Sequence, residues 1–259
     1  MIGFFDIDGT LITEDERQYL PPSTVSAIQA MRRNGHLAFI NTGRTLFNVL
    51  TQSYIQRIGF DGYVCACGTH IVYRGKDLLS VLVPEEAHDV ITDAARRCRI
   101  ELMFEGPEAF YFDLEQPMGP ARRRLYDRDA SRSLSVDLPH KRFNKFVTWD
   151  TPGCDAEAFV RAVSPWFVHI DRGGGFREFC LKGYSKATGI TAIANLMDKP
   201  LDSCFVIGDS MNDEPMLRFV KHSVLMGNGT PALKPVVEFV TTDILDNGIE
   251  HALEHYGVI

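Results

Sequence analysis

The chain has 259 residues, of which 45% are hydrophobic and 24% are charged. These values are ordinary for a globular protein with a buried core, and the length allows one large domain or two smaller ones. The formal net charge of −7 argues against a non-specific nucleic-acid binder, because such proteins need a basic surface.

Targeting and membrane segments are not expected from the sequence. The residues after Met1 lack a basic stretch followed by a long apolar run, which argues against a signal peptide. No apolar stretch approaches the ~18 residues that a membrane helix needs. The six cysteines are scattered and show no zinc-binding spacing. We therefore expect a cytoplasmic protein with reduced, buried thiols and no membrane or nucleic-acid partner.

Two carboxylates follow directly after the first apolar run. Residues 2–5 predict a short buried strand, and Gly9 ends it just after Asp6 and Asp8. Side chains alternate across a strand, so Asp6 and Asp8 should project together from its carboxyl end. Two like charges are costly there unless a cation offsets them, which suggests a metal or substrate site.

The next segments alternate between helices and apolar strands. A helical pattern after Pro21 ends at Gly35, a strand at 37–40 leads into residues 41–44, a helix is predicted over 46–58, and a third strand over 63–67. Alternating helices with wholly apolar strands are typical of a parallel sheet that is covered on both faces.

The middle of the chain has a different character. Residues 71–83 predict a hairpin with its turn at 74–77, followed by a helix from Pro84 to about Arg99. Short strands are predicted over 100–104, 110–113 and 145–148, and a helix over 155–164. Residues 122–128 read as a charged loop, and residues 173–175 as a hairpin turn in preference to a mobile loop above the site. We interpret 84–182 as an inserted α+β domain, with 1–83 and 183–259 forming the core.

Polar residues follow several of the predicted core strands. From Ser185 a helix leads to an apolar strand at 204–207 and a polar loop at 208–213, and later strands are predicted at 223–226 and 238–240. In an open parallel sheet, ligands bind beyond the carboxyl ends of the strands. The residues expected at that edge are Asp6, Asp8, Thr42, Gly43, Arg44, Lys186, Asp209, Asn212 and Asp213.

This residue set favours phosphoryl transfer. Carboxylate oxygens suit a hard cation such as Mg²⁺, which prefers few protein ligands together with water and a phosphate. A hydroxyl, loop N–H groups and a lysine suit the other oxygens of a phosphoryl group.

The segments that carry these residues resemble the four ordered motifs of the haloacid dehalogenase (HAD) superfamily. Residues 6–10 resemble the first motif, residues 41–44 the second, Lys186 within 183–188 the third, and residues 208–213 the fourth. The insertion resembles the α+β cap of the Cof-type (type IIB) subgroup. The resemblance implies an α/β fold with a Rossmann-like doubly wound parallel sheet and an inserted cap that sets substrate specificity.

The resemblance also implies a role for each matching residue. Asp6 would be the nucleophile that forms an aspartyl-phosphate, and Asp8 the general acid and then the general base. The Asp6 and Asp209 side chains and the Asp8 backbone carbonyl would bind Mg²⁺. The aspartate at position 8 argues against an ATP-driven pump, which has threonine there, and against a dehalogenase.

The remaining motif residues would serve the substrate. Thr42 and Lys186 would hold phosphoryl oxygens, with Gly43 in the same loop, and Asn212 and Asp213 would orient substrate or metal-bound water. Arg44 could equally contact substrate or form a surface ion pair. Residues 122–124 are expected to be solvated, although in a cap they could contact an anionic substrate. His70 is the one histidine near a predicted strand end.

The expected function is a Mg²⁺-dependent phosphomonoester hydrolase for a small phosphorylated metabolite such as a sugar phosphate. One alternative is a phosphotransferase or phosphomutase on the same fold. The other is a non-catalytic binding protein, which the intact set Asp6, Asp8, Lys186 and Asp209 argues against.

Overall fold

The computed structural model describes residues 1–259. The strands are β1 (Ile2–Phe5), β2 (Leu37–Asn41), β3 (Gly62–Cys65), β4 (His70–Tyr73), β5 (Lys76–Ser80), β6 (Ile100–Glu105), β7 (Phe110–Phe112), β8 (Ser133–Ser135), β9 (Lys145–Asp150), β10 (Phe167–Asp171), β11 (Phe176–Leu181), β12 (Cys204–Gly208), β13 (His222–Leu225) and β14 (Phe239–Val240). The helices are α1 (Pro22–Arg33), α2 (Leu46–Leu50), α3 (Ser53–Ile58), α4 (Glu85–Cys98), α5 (Pro120–Arg128), α6 (Ala156–Val163), α7 (Lys186–Leu196), α8 (Glu214–Phe219) and α9 (Gly248–His255).

The chain forms two compact units. The core unit comprises Met1–Ser80 and Tyr184–Ile259, and the insert unit comprises Val81–Gly183. The sequence places the insertion at 84–182, so its two boundaries differ from those of the insert unit by three residues and one residue. No helix is both long enough and apolar enough to cross a membrane. All six cysteines are free thiols.

The core unit is built on one eight-stranded sheet in the order β14-β13-β12-β1-β2-β3-β4-β5. The strands from β14 to β3 are parallel, and β4 and β5 extend the sheet as an antiparallel hairpin. This confirms the predicted α/β class with a Rossmann-like parallel sheet and the predicted hairpin.

Successive apolar residues of the central strands enter different hydrophobic clusters. Phe5 and Ile40 pack in one cluster with residues of α1, α3 and α9. Phe4 and Phe39 pack in the other with residues of α7 and α8. Each face of the sheet is therefore covered by helices, as expected for wholly apolar parallel strands. Because β1, β2 and β12 run in one direction, the polar residues after them lie at the same edge of the sheet.

Two predicted elements of the core unit are wrong in detail. Residues 46–58 form two short helices instead of one, because the Gln52 backbone is extended, with φ −88° and ψ 120°. The third strand ends at Cys65 instead of reaching position 67, since the chain turns into a short 3-10 segment with φ 54° at Cys67. The helix α9 was not predicted.

The insert unit contains a six-stranded sheet in the order β10-β11-β9-β6-β7-β8. All neighbouring strands are antiparallel except β7 and β8. Helices α4 and α6 pack together, and Phe159 of α6 lies edge-on to Phe146 and Phe179 of the sheet. Residues 173–175 lie in the turn between β10 and β11, as predicted. The two strands themselves were not predicted.

The predicted charged loop over 122–128 is wrong, because Pro120–Arg128 forms the helix α5. The Arg122 side chain is 0% exposed, and its Nη2 donates to the Asp113 carbonyl at 2.8 Å and the Gln116 carbonyl at 3.1 Å. Burial lowers the pKa of Arg122. Arg123 and Arg124 are exposed, as expected. Arg122 thus anchors the segment before α5 inside the insert unit.

Candidate active site

A lysine and two aspartates form a buried cluster at the carboxyl edge of the core sheet. The Lys186 ammonium lies 2.6 Å from Asp6 Oδ1 and 2.5 Å from Asp213 Oδ1. Asp6 and Lys186 are each 3% exposed, and Asp213 is fully buried. Asp6 directly follows β1, and its backbone N–H donates to the Ile207 carbonyl of β12. The structure therefore brings together residues from three of the four motifs.

Lys186 occupies its position because it is the first residue of α7. The side chain of Ser185 accepts from the Thr188 backbone N–H, and the Thr188 hydroxyl accepts from the Ser185 N–H, which makes a capping box. The Asn41 side chain at the end of β2 donates to the Lys186 carbonyl at 3.1 Å. A Cβ at Gly68 would lie 2.3 Å from the Ser185 carbonyl oxygen, so this approach requires glycine.

Asp213 organises the loop after β12. Its Oδ2 accepts hydrogen bonds from the Asp209 N–H at 2.9 Å and the Ser210 N–H at 3.1 Å. A Cβ at Gly208 would lie 2.6 Å from the Asp213 carboxyl carbon, so this loop also depends on glycine. With Lys186 on its other oxygen, both oxygens of Asp213 are engaged by the protein. Its position therefore suits loop support better than substrate contact.

Asp209 is held by the loop after β1. The Thr10 hydroxyl donates to Asp209 Oδ1 at 2.9 Å. Gly9 has φ +77°, and a Cβ there would lie 2.3 Å from Asp209 Oδ2. The Asn228 side chain donates to the Gly9 carbonyl at 2.7 Å and accepts from the Ile244 N–H at 2.9 Å. The Gly-Asn-Gly turn at 227–229 thus supports the site, a role that its sequence did not reveal.

The residues present fit a divalent cation. Carboxylate oxygens of Asp6, Asp209 and Asp213 all lie within 4.8 Å of one another. Burial, followed by the charge of Asp213, raises the pKa of Asp6 to about 7. Burial, followed by the charge of Asp6, raises the pKa of Asp209 to about 8. Three crowded carboxylates against one ammonium favour a further positive charge, and oxygen ligands suit Mg²⁺. Since Asp213 is already engaged, Asp6 and Asp209 are the side chains that could hold it.

Lys186 remains a cation in this buried position. Burial lowers its pKa, but the charges of Asp213 and Asp6 and their hydrogen bonds outweigh that effect, and the net pKa is raised. The Lys186 ammonium therefore supplies a fixed positive charge beside Asp6.

Asp8 and Asp6 have different partners, although both were expected to project together. Arg44 donates from Nε to Asp8 Oδ2 at 2.9 Å and from Nη2 to Asp8 Oδ1, which makes a two-point ion pair. The Arg44 and Asp8 side chains are 17% and 33% exposed, so Arg44 forms the ion pair that was one of its two expected roles, in a partly buried position. Arg44 Nη1 also donates to the Tyr54 hydroxyl at 3.1 Å.

Thr42 and Asn212 make hydrogen bonds within their own loops. The Thr42 hydroxyl accepts from the Arg44 N–H at 3.2 Å, and Thr42 is buried at the end of β2. Asn212 accepts from the Ser210 hydroxyl at 2.6 Å and is partly exposed. Gly43 lies between Thr42 and Arg44. His70 Nε2 lies 2.9 Å from Asp77 Oδ1 across the β4–β5 hairpin, so its contact is with the hairpin.

Comparisons with known proteins identify the family of this chain. A family model for haloacid dehalogenase-like hydrolases matches residues 3–253. YkrA of Bacillus subtilis (strain 168), which carries a provisional phosphatase name, is 26% identical over 265 residues, covering 99% of this chain and 97% of YkrA. The HMP-PP phosphatase of Yersinia enterocolitica is 23% identical over 272 residues, covering 98% of this chain and 94% of that protein.

The structural comparison concerns the fold alone. The solved structure of the HAD subclass IIB sugar phosphatase BT4131 has a TM-score of 0.83 at 23% identity, covering 100% of this chain and 99% of that one. Because the family model spans nearly the whole chain, this protein belongs to the haloacid dehalogenase-like hydrolase family and is a hydrolase of the phosphatase type.

Proposed function

We propose that the protein is a Mg²⁺-dependent phosphomonoester hydrolase that acts through an aspartyl-phosphate on Asp6. One observation carries the proposal: the buried Asp6 carboxylate is oriented by Lys186 at 2.6 Å and lies beside Asp209 at the carboxyl edge of the sheet. A carboxylate fixed in this way needs little reorganisation before attack on phosphorus.

The first step forms one bond to phosphorus and breaks another. An Asp6 oxygen bonds to phosphorus while the bond from phosphorus to the leaving oxygen breaks. The leaving oxygen keeps the bonding electron pair and takes a proton from Asp8. Lys186 and the Thr42 hydroxyl hold the phosphoryl oxygens during the transfer, and Asn212 orients the substrate.

The second step restores the enzyme. Asp8 takes a proton from water as the water oxygen bonds to phosphorus, and the acyl phosphate bond to Asp6 breaks. Inorganic phosphate leaves, and Asp6 returns to a carboxylate. Mg²⁺ bound by the Asp6 and Asp209 side chains and the Asp8 carbonyl would offset the charge of the phosphoryl oxygens.

The proposed substrate is a small phosphorylated metabolite, such as a sugar phosphate. The named relatives support this class, since one is an HMP-PP phosphatase and a protein of the same fold is a sugar phosphatase. The insert unit is the proposed determinant of the leaving group, as the resemblance to Cof-type proteins implies.

The experiment is a panel of phosphorylated metabolites with Mg²⁺, ranked by kcat/KM for release of inorganic phosphate. We expect release from at least one small phosphomonoester. Formation of an isomerised sugar phosphate without free phosphate would overturn hydrolysis in favour of a phosphomutase. Absence of turnover and of a phosphorylated Asp6 across the panel would contradict the proposed function as a whole.

A further inference from the structure

Tyr54 lies next to the proposed proton-transfer group but has no role in the mechanism above. Its hydroxyl accepts a hydrogen bond from Arg44 Nη1 at 3.1 Å, and Arg44 in turn holds both carboxylate oxygens of Asp8. Tyr54 is only 7% exposed and packs within the hydrophobic cluster of α1, α3 and α9. A buried ring thus carries the hydroxyl that Arg44 contacts.

The break between α2 and α3 explains how Tyr54 reaches this position. In one continuous helix, Leu50 and Tyr54 would share a face, because residues four apart lie one above the other. Leu50 is 46% exposed, whereas Tyr54 is 7% exposed. The extended backbone at Gln52 therefore turns α3 so that Tyr54 faces inward.

Arg44 is held from both sides in this arrangement. The edge formed by Nε and Nη2 binds Asp8, while Nη1 binds Tyr54. A planar guanidinium that is fixed at several points transmits its orientation to a carboxylate bound by two hydrogen bonds. Loss of the Tyr54 hydroxyl would leave Nη1 without this partner, so that Asp8 and Arg44 would fix each other without an anchor in the core.

We propose that Tyr54 is a positioning residue that acts through Arg44 to hold Asp8 in place for proton transfer to the leaving group. This inference rests on the proposed function. Tyr54 and Arg44 then determine how well the enzyme handles leaving groups that need a proton.

The dependence on the leaving group follows from the first chemical step. When the bond between phosphorus and the leaving oxygen breaks, an alkyl leaving group would depart as a strongly basic alkoxide unless Asp8 protonates it. A p-nitrophenolate is a weak base and departs without that proton. Misplacement of Asp8 should therefore slow alkyl phosphates much more than p-nitrophenyl phosphate.

The test compares kcat/KM of wild-type protein and Tyr54→Phe for p-nitrophenyl phosphate and glycerol phosphate with Mg²⁺. We expect Tyr54→Phe to lower kcat/KM about tenfold more for glycerol phosphate than for p-nitrophenyl phosphate. This loss is smaller than the ~10²–10⁴-fold rate enhancement of a well-positioned general acid, because the variant retains Asp8. Tyr63→Phe is the matched control, because Tyr63 is a partly exposed tyrosine of β3 in the same unit. It should leave the ratio of the two activities unchanged.

A double-variant cycle tests whether Tyr54 acts through Arg44. Arg44→Lys should show the same selective loss on glycerol phosphate, and adding Tyr54→Phe to it should change the ratio no further. Equal losses of kcat/KM on both substrates would overturn the role of Tyr54, and so would independent effects of the two substitutions on the ratio of the two activities. Either result would leave the proposed function standing. A wild-type protein that releases phosphate from no substrate of the metabolite panel would overturn the proposed function and this inference with it.

Discussion

Lys186 and Asp6 lie 180 positions apart in the chain, and their charged atoms are 2.6 Å apart. The same ammonium also binds Asp213 at 2.5 Å, so one buried cation serves two carboxylates while Asp209 lies nearby. Three carboxylates thus lie beside one ammonium at this edge of the sheet. The site is therefore suited to receive a metal ion and to hold the nucleophile in one orientation.

The two aspartates on Lys186 should differ in their effects on stability. Asp213 accepts two backbone hydrogen bonds besides its ion pair. For Asp6, burial disfavours the charged carboxylate and raises its pKa to about 7. We expect Asp213→Asn to lower the free energy of unfolding by roughly 3–5 kcal/mol, the cost of breaking a buried pair. Asp6→Asn should cost less at about pH 8, because it also removes a crowded charge.

Urea unfolding of the two metal-free variants beside the wild-type protein measures this difference. Equal losses would show that Asp213 contributes nothing beyond its pairing with Lys186. A larger loss for Asp6→Asn would contradict the assignment of Asp213 as the residue that holds the loop.

Mg²⁺ binding should depend on pH through Asp6 and Asp209. Their pKa values are raised to about 7 and about 8 from 3.8, so at about pH 6 the folded, metal-free protein binds more protons than the unfolded chain. The metal-free protein accordingly gains stability as the pH falls across that window. Mg²⁺ requires the carboxylates, so its binding must release these protons and should strengthen as the pH rises.

The measurement is the increase in melting temperature on adding Mg²⁺ after treatment with EDTA. We expect a larger increase at about pH 8.5 than at about pH 6, and we expect EDTA to silence activity until Mg²⁺ is restored. Full activity without a divalent ion would refute the proposed role of Mg²⁺. An increase that is the same at both pH values would refute the proton release.

Gly9 should be essential to the metal site. A Cβ at Gly9 would lie 2.3 Å from Asp209 Oδ2 in a backbone conformation with φ +77°, so Gly9→Ala must displace Asp209. We expect it to weaken Mg²⁺ binding, measured by calorimetry, and to lower kcat/KM by at least about tenfold, as expected for a displaced electrostatic group.

Gly35 provides the matched control for that substitution. It has φ +86°, and its Cβ would meet no heavy atom within 4 Å. Gly35→Ala should cost roughly 1–2 kcal/mol of stability through backbone strain alone and leave Mg²⁺ binding unchanged. If both alanine variants bound Mg²⁺ like the wild-type protein, the close approach of Gly9 to Asp209 would have no functional meaning.

The sequence predicted the parts of the fold and site that depend on local patterns. Apolar strands that end in polar residues placed Asp6 and Asp209 at one edge, because parallel strands share a direction. The position of Lys186 at a helix start followed from Ser185 and the helical pattern after it.

The sequence did not predict contacts that depend on several distant segments. Asn228 joins the loop after β1 to the chain before α9, and no local pattern distinguishes it from an ordinary turn residue. Arg122 is buried because backbone carbonyls from other segments receive its guanidinium, whereas arginine in isolation suggests an exposed position. The break at Gln52 arises within a continuous helical pattern.

Asp6 is the proposed nucleophile, and turnover of p-nitrophenyl phosphate with Mg²⁺ by Asp6→Asn tests that role. The variant should keep its fold, since Lys186 retains Asp213 at 2.5 Å, and circular dichroism and the melting temperature would verify this. We predict that phosphate release falls to background and that the wild-type protein, but not the variant, becomes phosphorylated at position 6. A folded Asp6→Asn protein that retains wild-type turnover would contradict the mechanism.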